Sequence, residues 1–108
     1  MADYKENIEK LRPLLEFIGK NESNGNYNVM YGGNEAPFTD MSIEEVLDFQ
    51  KQMVNSGMPS SAVGKYQFIN KTLKDIVEKN PKDFPLDAKF NETMQDRAAG
   101  LLLHRRGS

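Results

Sequence analysis

The chain has 108 residues, 14 of them basic and 16 acidic, for a formal net charge of -2. That length suits one domain with a single core, set here at residues 1–108. The charge balance argues against a nucleic-acid binder, which would show a basic face, and gives no bulk attraction to anionic lipid or wall polymers. With no cysteine and a single histidine, His104, neither a disulfide framework nor a zinc site is expected.

Met1 to Glu6 is polar, no signal-peptide pattern follows it, and the apolar runs fall far short of the roughly 18 residues that span a membrane. The expected protein is soluble, without a membrane partner and without a cofactor.

In chain order, Ile8, Leu11, Leu15 and Ile18 keep helical spacing, widened by Leu14 and Phe17. Pro13 predicts a short lead-in followed by a helix starting near that residue, because proline suits a first turn. Gly19 and the polar run Asn21 to Asn26 predict its end, which leaves Glu22 at or just past the helix terminus. Tyr27 to Gly33 is β-forming and closes on a Gly-Gly turn, so a small antiparallel hairpin with Phe38-Thr39 is expected.

Ser42-Ile43-Glu44-Glu45 is a capping-box pattern ahead of a face made by Val46, Leu47, Phe49 and Met53, with a stop near Asn55-Ser56-Gly57. Asn70 is expected to cap a helix bearing Leu73, Ile76 and Val77 that ends at Asn80-Pro81. Asn91 is expected to cap a last helix that buries Met94, Ala98, Leu101 and Leu102, with Gly107 at its C-terminal cap. The fold class that follows is α+β, mainly helical: several helices, with one small antiparallel sheet inserted after the first main helix.

Four segments stand out for chemistry: Asn21-Glu22-Ser23-Asn24-Gly25, Tyr27 to Gly33, Phe38-Thr39-Asp40, and Ala62-Val63-Gly64-Lys65-Tyr66-Gln67. Together they resemble the phage lambda type of lysozyme, a lytic transglycosylase family in the lysozyme-like superfamily. That family has a Ser-Glu-Gly-like glutamate, a Gly-Tyr-Asp-Val-x-x-Gly-Gly strand, a Phe-Thr-Asp and an Ala-Gly-Arg-Tyr-Gln segment. Phe38-Thr39-Asp40 matches outright. Lys65 replaces the family's arginine, and one extra residue lies between Ala62 and Gly64. Gln95-Asp96 and Arg105-Arg106-Gly107 are similar to a later helix. Any one of these motifs is weak, but four in order over roughly Leu11 to Gly107 are fairly specific. Family members continue further, with helices that this chain is expected to lack.

The resemblance implies Glu22 as the catalytic acid and bacterial peptidoglycan glycan strands as the partner. It further implies cleavage of the MurNAc-GlcNAc β-1,4 bond in a phage setting, either by an endolysin or by a part of a larger virion protein. Such cleavage needs an acid to protonate the leaving oxygen, and a carboxyl does so at neutral pH when partial burial holds its proton. A transglycosylase needs no second protein carboxylate. An inverting hydrolase does, and Asp40 is then the candidate. The implied substrate-binding residues are Ser23, Tyr27, Tyr31, Gly64, Tyr66 and Gln67.

Each of these residues has a plainer reading. Asp40 would cap a turn or the next helix, Gly64 would be a turn glycine, and Gln67 an exposed amide. The three tyrosines would be half-buried core. His104, late in a helix, suits the helix dipole better than catalysis. The rival function from another class is a non-catalytic lysozyme-like module that binds the wall or builds the virion.

Overall fold

A computed structural model describes residues 4–106. The described residues form four α-helices: α1 (Tyr4–Ser23), α2 (Ile43–Asn55), α3 (Asn70–Lys79) and α4 (Glu92–Arg105). None is long and apolar enough to cross a membrane.

The expected break at Pro13 is absent, and α1 runs unbroken from Tyr4 to Ser23 with Pro13 inside it. An interior proline costs a helix about 3 kcal/mol through a lost hydrogen bond and a ring clash. Packing offsets that local cost, because Leu15 is wholly buried, Ile8 is buried, and Leu11 and Ile18 pack against the same core. Leu14 and Phe17, expected to widen the buried stripe, stay exposed. Gly19 does not end the helix either. Asn24, in the left-handed region at φ 57°, turns the chain a full turn later, and the Gly25 amide returns to the Gly19 carbonyl at 3.1 Å.

The expected hairpin with Phe38-Thr39 does not form. The chain does reverse at Gly32-Gly33, but it closes on itself, with Met30 N donating to Asn34 O (2.8 Å) and Ala36 N to Asn28 O (2.9 Å). Around this reversal there are only isolated bridges, Val29 with Glu35, Met30 with Val63 and Val63 with Phe68. Phe38–Asp40 instead winds into a short 3-10 turn that buries Phe38 edge-on against Phe49, ring centres 5.3 Å apart. Burial of a whole aromatic ring outweighs the few ladder bonds a two-residue strand could add.

Helix α2 follows its sequence signals. Ser42 Oγ accepts from Glu45 N while Glu45 Oε1 accepts from Ser42 N, and the helix stops at Asn55. Its first free amides are met across the chain, Ile43 N by Ala88 O and Glu44 N by Leu86 O. Asn91 caps α4 through Met94 N.

Asn70 is not the cap of α3 but its first residue, and its backbone N–H is met by Ser61 Oγ at 2.8 Å. The asparagine side chain turns instead to Leu47 O and Gln50 Oε1 of α2. On α4, Met94, Ala98 and Leu101 are buried as expected, but Leu103 takes the buried place assigned to Leu102. Gly107 lies outside the described residues.

Helices α1 and α4 pack together, joined at their flank by Arg12–Asp96 at 3.0 Å. Helices α2 and α3 pack on each other. Threaded between the pairs is the segment 61–68, buried almost throughout. Two fully buried glutamines clamp it. From α2, Gln50 Nε2 donates to Ser61 O and Phe68 O; from α4, Gln95 Oε1 accepts from Lys65 N at 2.9 Å while its amide group donates to Phe90 O. A buried amide left unpaired costs about 1–3 kcal/mol, so these pairings fix the segment in place.

Candidate functional site

The end of α1, the segment after Tyr66 and the last turns of α4 enclose a cavity of about 350 Å³. Ile18, Ala99 and Leu102 contribute apolar wall, and Glu22, Gln67 and Arg106 contribute polar groups. Tyr66 also lines it. Three expected site residues, Glu22, Tyr66 and Gln67, thus meet in one place although more than forty positions separate the first from the others.

Glu22 is exposed on the last turn of α1. This corrects the expectation that the acid would be partly buried. The helix continues past Gly19, and its final turn stands out from the core rather than ending inside it.

Gln67 is half-buried and adopts φ 53°, a conformation that costs a non-glycine residue about 1–2 kcal/mol. Its amide nitrogen donates to Gly64 O at 2.8 Å and reaches Val29 O at 3.3 Å. The amide oxygen receives no donor from the described residues, which leaves an acceptor available at the cavity wall. Strain of this kind persists where surrounding contacts over-determine the backbone, and it gathers at binding sites.

Asp40 stands elsewhere. With Tyr27, Asn28, Asn91 and Glu92 it lines a separate, polar cavity of about 640 Å³, and it is exposed there. Ser23, Tyr31 and Gly64 line neither cavity. Tyr31 is exposed. Ser23 Oγ lies 2.6 Å from Lys65 O and 3.0 Å from Gly19 O, so its hydroxyl serves the backbone. Gly64 sits at φ 83°, and a Cβ there would come within 2.5 Å of Gln95 Oε1. The close approach at Gly64 is made to a buried glutamine.

Behind the cavity lies a polar network. Asp96 Oδ1 accepts from Tyr66 Oη (2.7 Å) and Tyr27 Oη (2.8 Å), and Asp96 Oδ2 from Arg12. Burial first, and the Asp96 hydrogen bond second, push both tyrosine pKa values well above the usual phenol range. Lys65 Nζ pairs with Glu16 at 2.9 Å and lies 4.9 Å and 5.5 Å from the ring centres of Tyr27 and Tyr66. Each ring therefore has one face against an ammonium, and Tyr66, only 8% exposed, is largely core.

Sequence reasoning missed Gln50, Lys65 and Arg106 as site-building residues. Gln50 could have been found, since it falls on the stripe Ile43, Val46, Gln50, Met53. Nothing local marks Lys65 for burial. Among the described residues no group of three or more His, Cys, Asp or Glu side chains could hold a metal ion.

Comparison with protein-family models, with characterised proteins and with solved structures gives no match to this chain.

Proposed function

We propose that this chain cleaves the glycan strands of bacterial peptidoglycan between N-acetylmuramic acid and N-acetylglucosamine, as a lytic transglycosylase with Glu22 as its acid and base. The observation that carries the reading is the meeting of Glu22, Tyr66 and Gln67 in one cavity. Glu22 gives its proton to the glycosidic oxygen as that bond breaks. The muramic C6 hydroxyl then bonds to C1 and returns its proton to the carboxylate, so no water is consumed. Gln67 offers its amide oxygen to a sugar N–H. Water reaches Glu22 in the free protein, and a sugar lying over the cavity excludes that water from the reacting bond. Asp40 lines a different cavity, which favours the mechanism asking for one protein carboxylate over inversion by the pair. The setting proposed is a phage product acting on the host wall, released as an endolysin or carried as part of a virion protein.

The exposure of Glu22 favours a second reading, a non-catalytic module that binds wall glycan. Mass spectrometry of material released from purified peptidoglycan separates the readings. The expected products carry 1,6-anhydromuramic ends, lighter by one water than hydrolysis products. Reducing ends would replace the transglycosylase with the Glu22–Asp40 hydrolase. Retention on the wall without any release would establish the binding module.

A further inference from the structure

Lysines keep their ammonium groups in water by stretching the four-carbon stem outward. Lys65 does the opposite, with a side chain only 5% exposed. Taking such a charge out of water is costly even after relaxation, and an apolar side chain of equal length would fill the space more favourably. Packing alone does not explain a lysine here.

What surrounds it does. The stem crosses α1 at Gly19, where a Cβ would lie 2.4 Å from Lys65 Cε. The ammonium holds Glu16 Oε1, lies 3.4 Å from Tyr27 Oη and is covered by the Tyr27 and Tyr66 rings, which hang in turn from Asp96 and Arg12. The backbone of the same residue holds side chains of both α1 and α4, Lys65 O receiving Ser23 Oγ of α1 and Lys65 N donating to Gln95 of α4. Ser23 is the neighbour of Glu22, and Gln67 lies two residues beyond Lys65. Lys65 itself does not line the cavity.

We infer that Lys65 is a positioning residue: its buried ammonium, pinned to Glu16, locks the last turns of α1 against the 64–67 segment and so sets the distance between Glu22 and Gln67. The inference rests on the function proposed above, and it accounts for the charge. An apolar stem would fill the gap but could slide along α1; an ion pair less than two turns upstream of Glu22 fixes the register of the contact. Reacting groups tolerate little drift, a displacement of about 1 Å costing up to roughly 100-fold in rate.

The test uses Lys65→Met, which keeps the stem and removes the charge, leaving Glu16 to water. It should melt within a few degrees of the parent, while kcat on purified peptidoglycan falls about tenfold or more at unchanged KM. Lys65→Cys, the only thiol in a chain without cysteine, can be aminoethylated while unfolded and then refolded, restoring a lysine-like amine. Recovery of kcat on that product is expected. An unchanged kcat in the methionine variant, or no recovery on aminoethylation, overturns the inference. If Lys65→Met does not fold, Glu16→Gln at the exposed end of the pair is read the same way. A parent that releases nothing refutes the function separately. The positioning is then read by NMR: Lys65→Met must move the Glu22 amide and the Gln67 side-chain amide signals, and aminoethylation must return them. Signals that stay in place refute the inference by themselves.

Discussion

The α2–α3 half of the molecule and the α1–α4 seam are built on different principles. In the first, short-range rules carry most of the order: a capping box opens α2, and apolar residues at helical spacing, Ile43, Val46, Leu73 and Ile76 among them, are wholly buried. In the second, ordering comes from polar contacts between residues far apart in the chain. Arg12 with Asp96, Lys65 with Glu16, Tyr27 with Asp96 and Ser23 with Lys65 all cross between elements. Apolar burial is tolerant of small shifts, whereas hydrogen bonds and ion pairs at fixed distances are not. The cavity holding Glu22 borders the seam, where geometry is held most tightly.

If the contrast is right, substitutions in the two halves should fail in different ways. The largest effect expected is on catalysis alone. Glu22→Gln should lower the release of muropeptides by about 100-fold to 10,000-fold with an unchanged circular dichroism spectrum and melting temperature, since an exposed side chain holds no core together. Release at the parent rate would remove Glu22 from the site.

In the apolar half, Leu73→Ala should cost about 2–5 kcal/mol in urea unfolding through the cavity it leaves, with kcat on peptidoglycan kept wherever the protein stays folded. Gly64→Ala, in the seam, should cost about 2–4 kcal/mol, combining a left-handed alanine with displacement of the buried Gln95. Unlike the leucine change it should also depress kcat, because Gln95 clamps the segment that carries Gln67. Equal effects of the two on kcat would erase the distinction between the halves. The smallest change is Ser42→Ala, which removes one side of the capping box and should cost about 1 kcal/mol in the same urea titration, without touching turnover.

The same division decides what could be read from the sequence. Ser42 with Glu45, Asn91, and the stripes of α2 and α3 were legible because a cap or a helical face depends on residues three or four apart. Pro13 misled because its penalty is local while the burial of Leu15 that overrides it is tertiary. Asn70 misled because Ser61, nine residues earlier, took the capping role. The hairpin failed for a similar reason: Phe38 is worth more as a buried ring than as a strand residue. In the site, Glu22 and Gln67 could be picked by residue type and order, but nothing near Glu22 revealed that α1 would run on and leave it in water. The burial of Lys65 was invisible, since it follows from a glycine 46 positions upstream that leaves room for the stem.

The packing of α1 on α4 also bears on how the chain comes to exist. These helices meet across some eighty residues, as the Arg12–Asp96 pair shows. During synthesis, α1 leaves the ribosome long before its partner, at about 5–20 residues per second, and for several seconds Leu15 has no α4 to cover it. The α2–α3 unit is complete earlier and can order first, so the nascent chain gains its apolar half while the Glu22 cavity is still open on one side. Non-local closure of this kind is slow relative to local helix formation. The wall that Ala99 and Leu102 give the cavity therefore exists only once α4 has been made and has docked on α1.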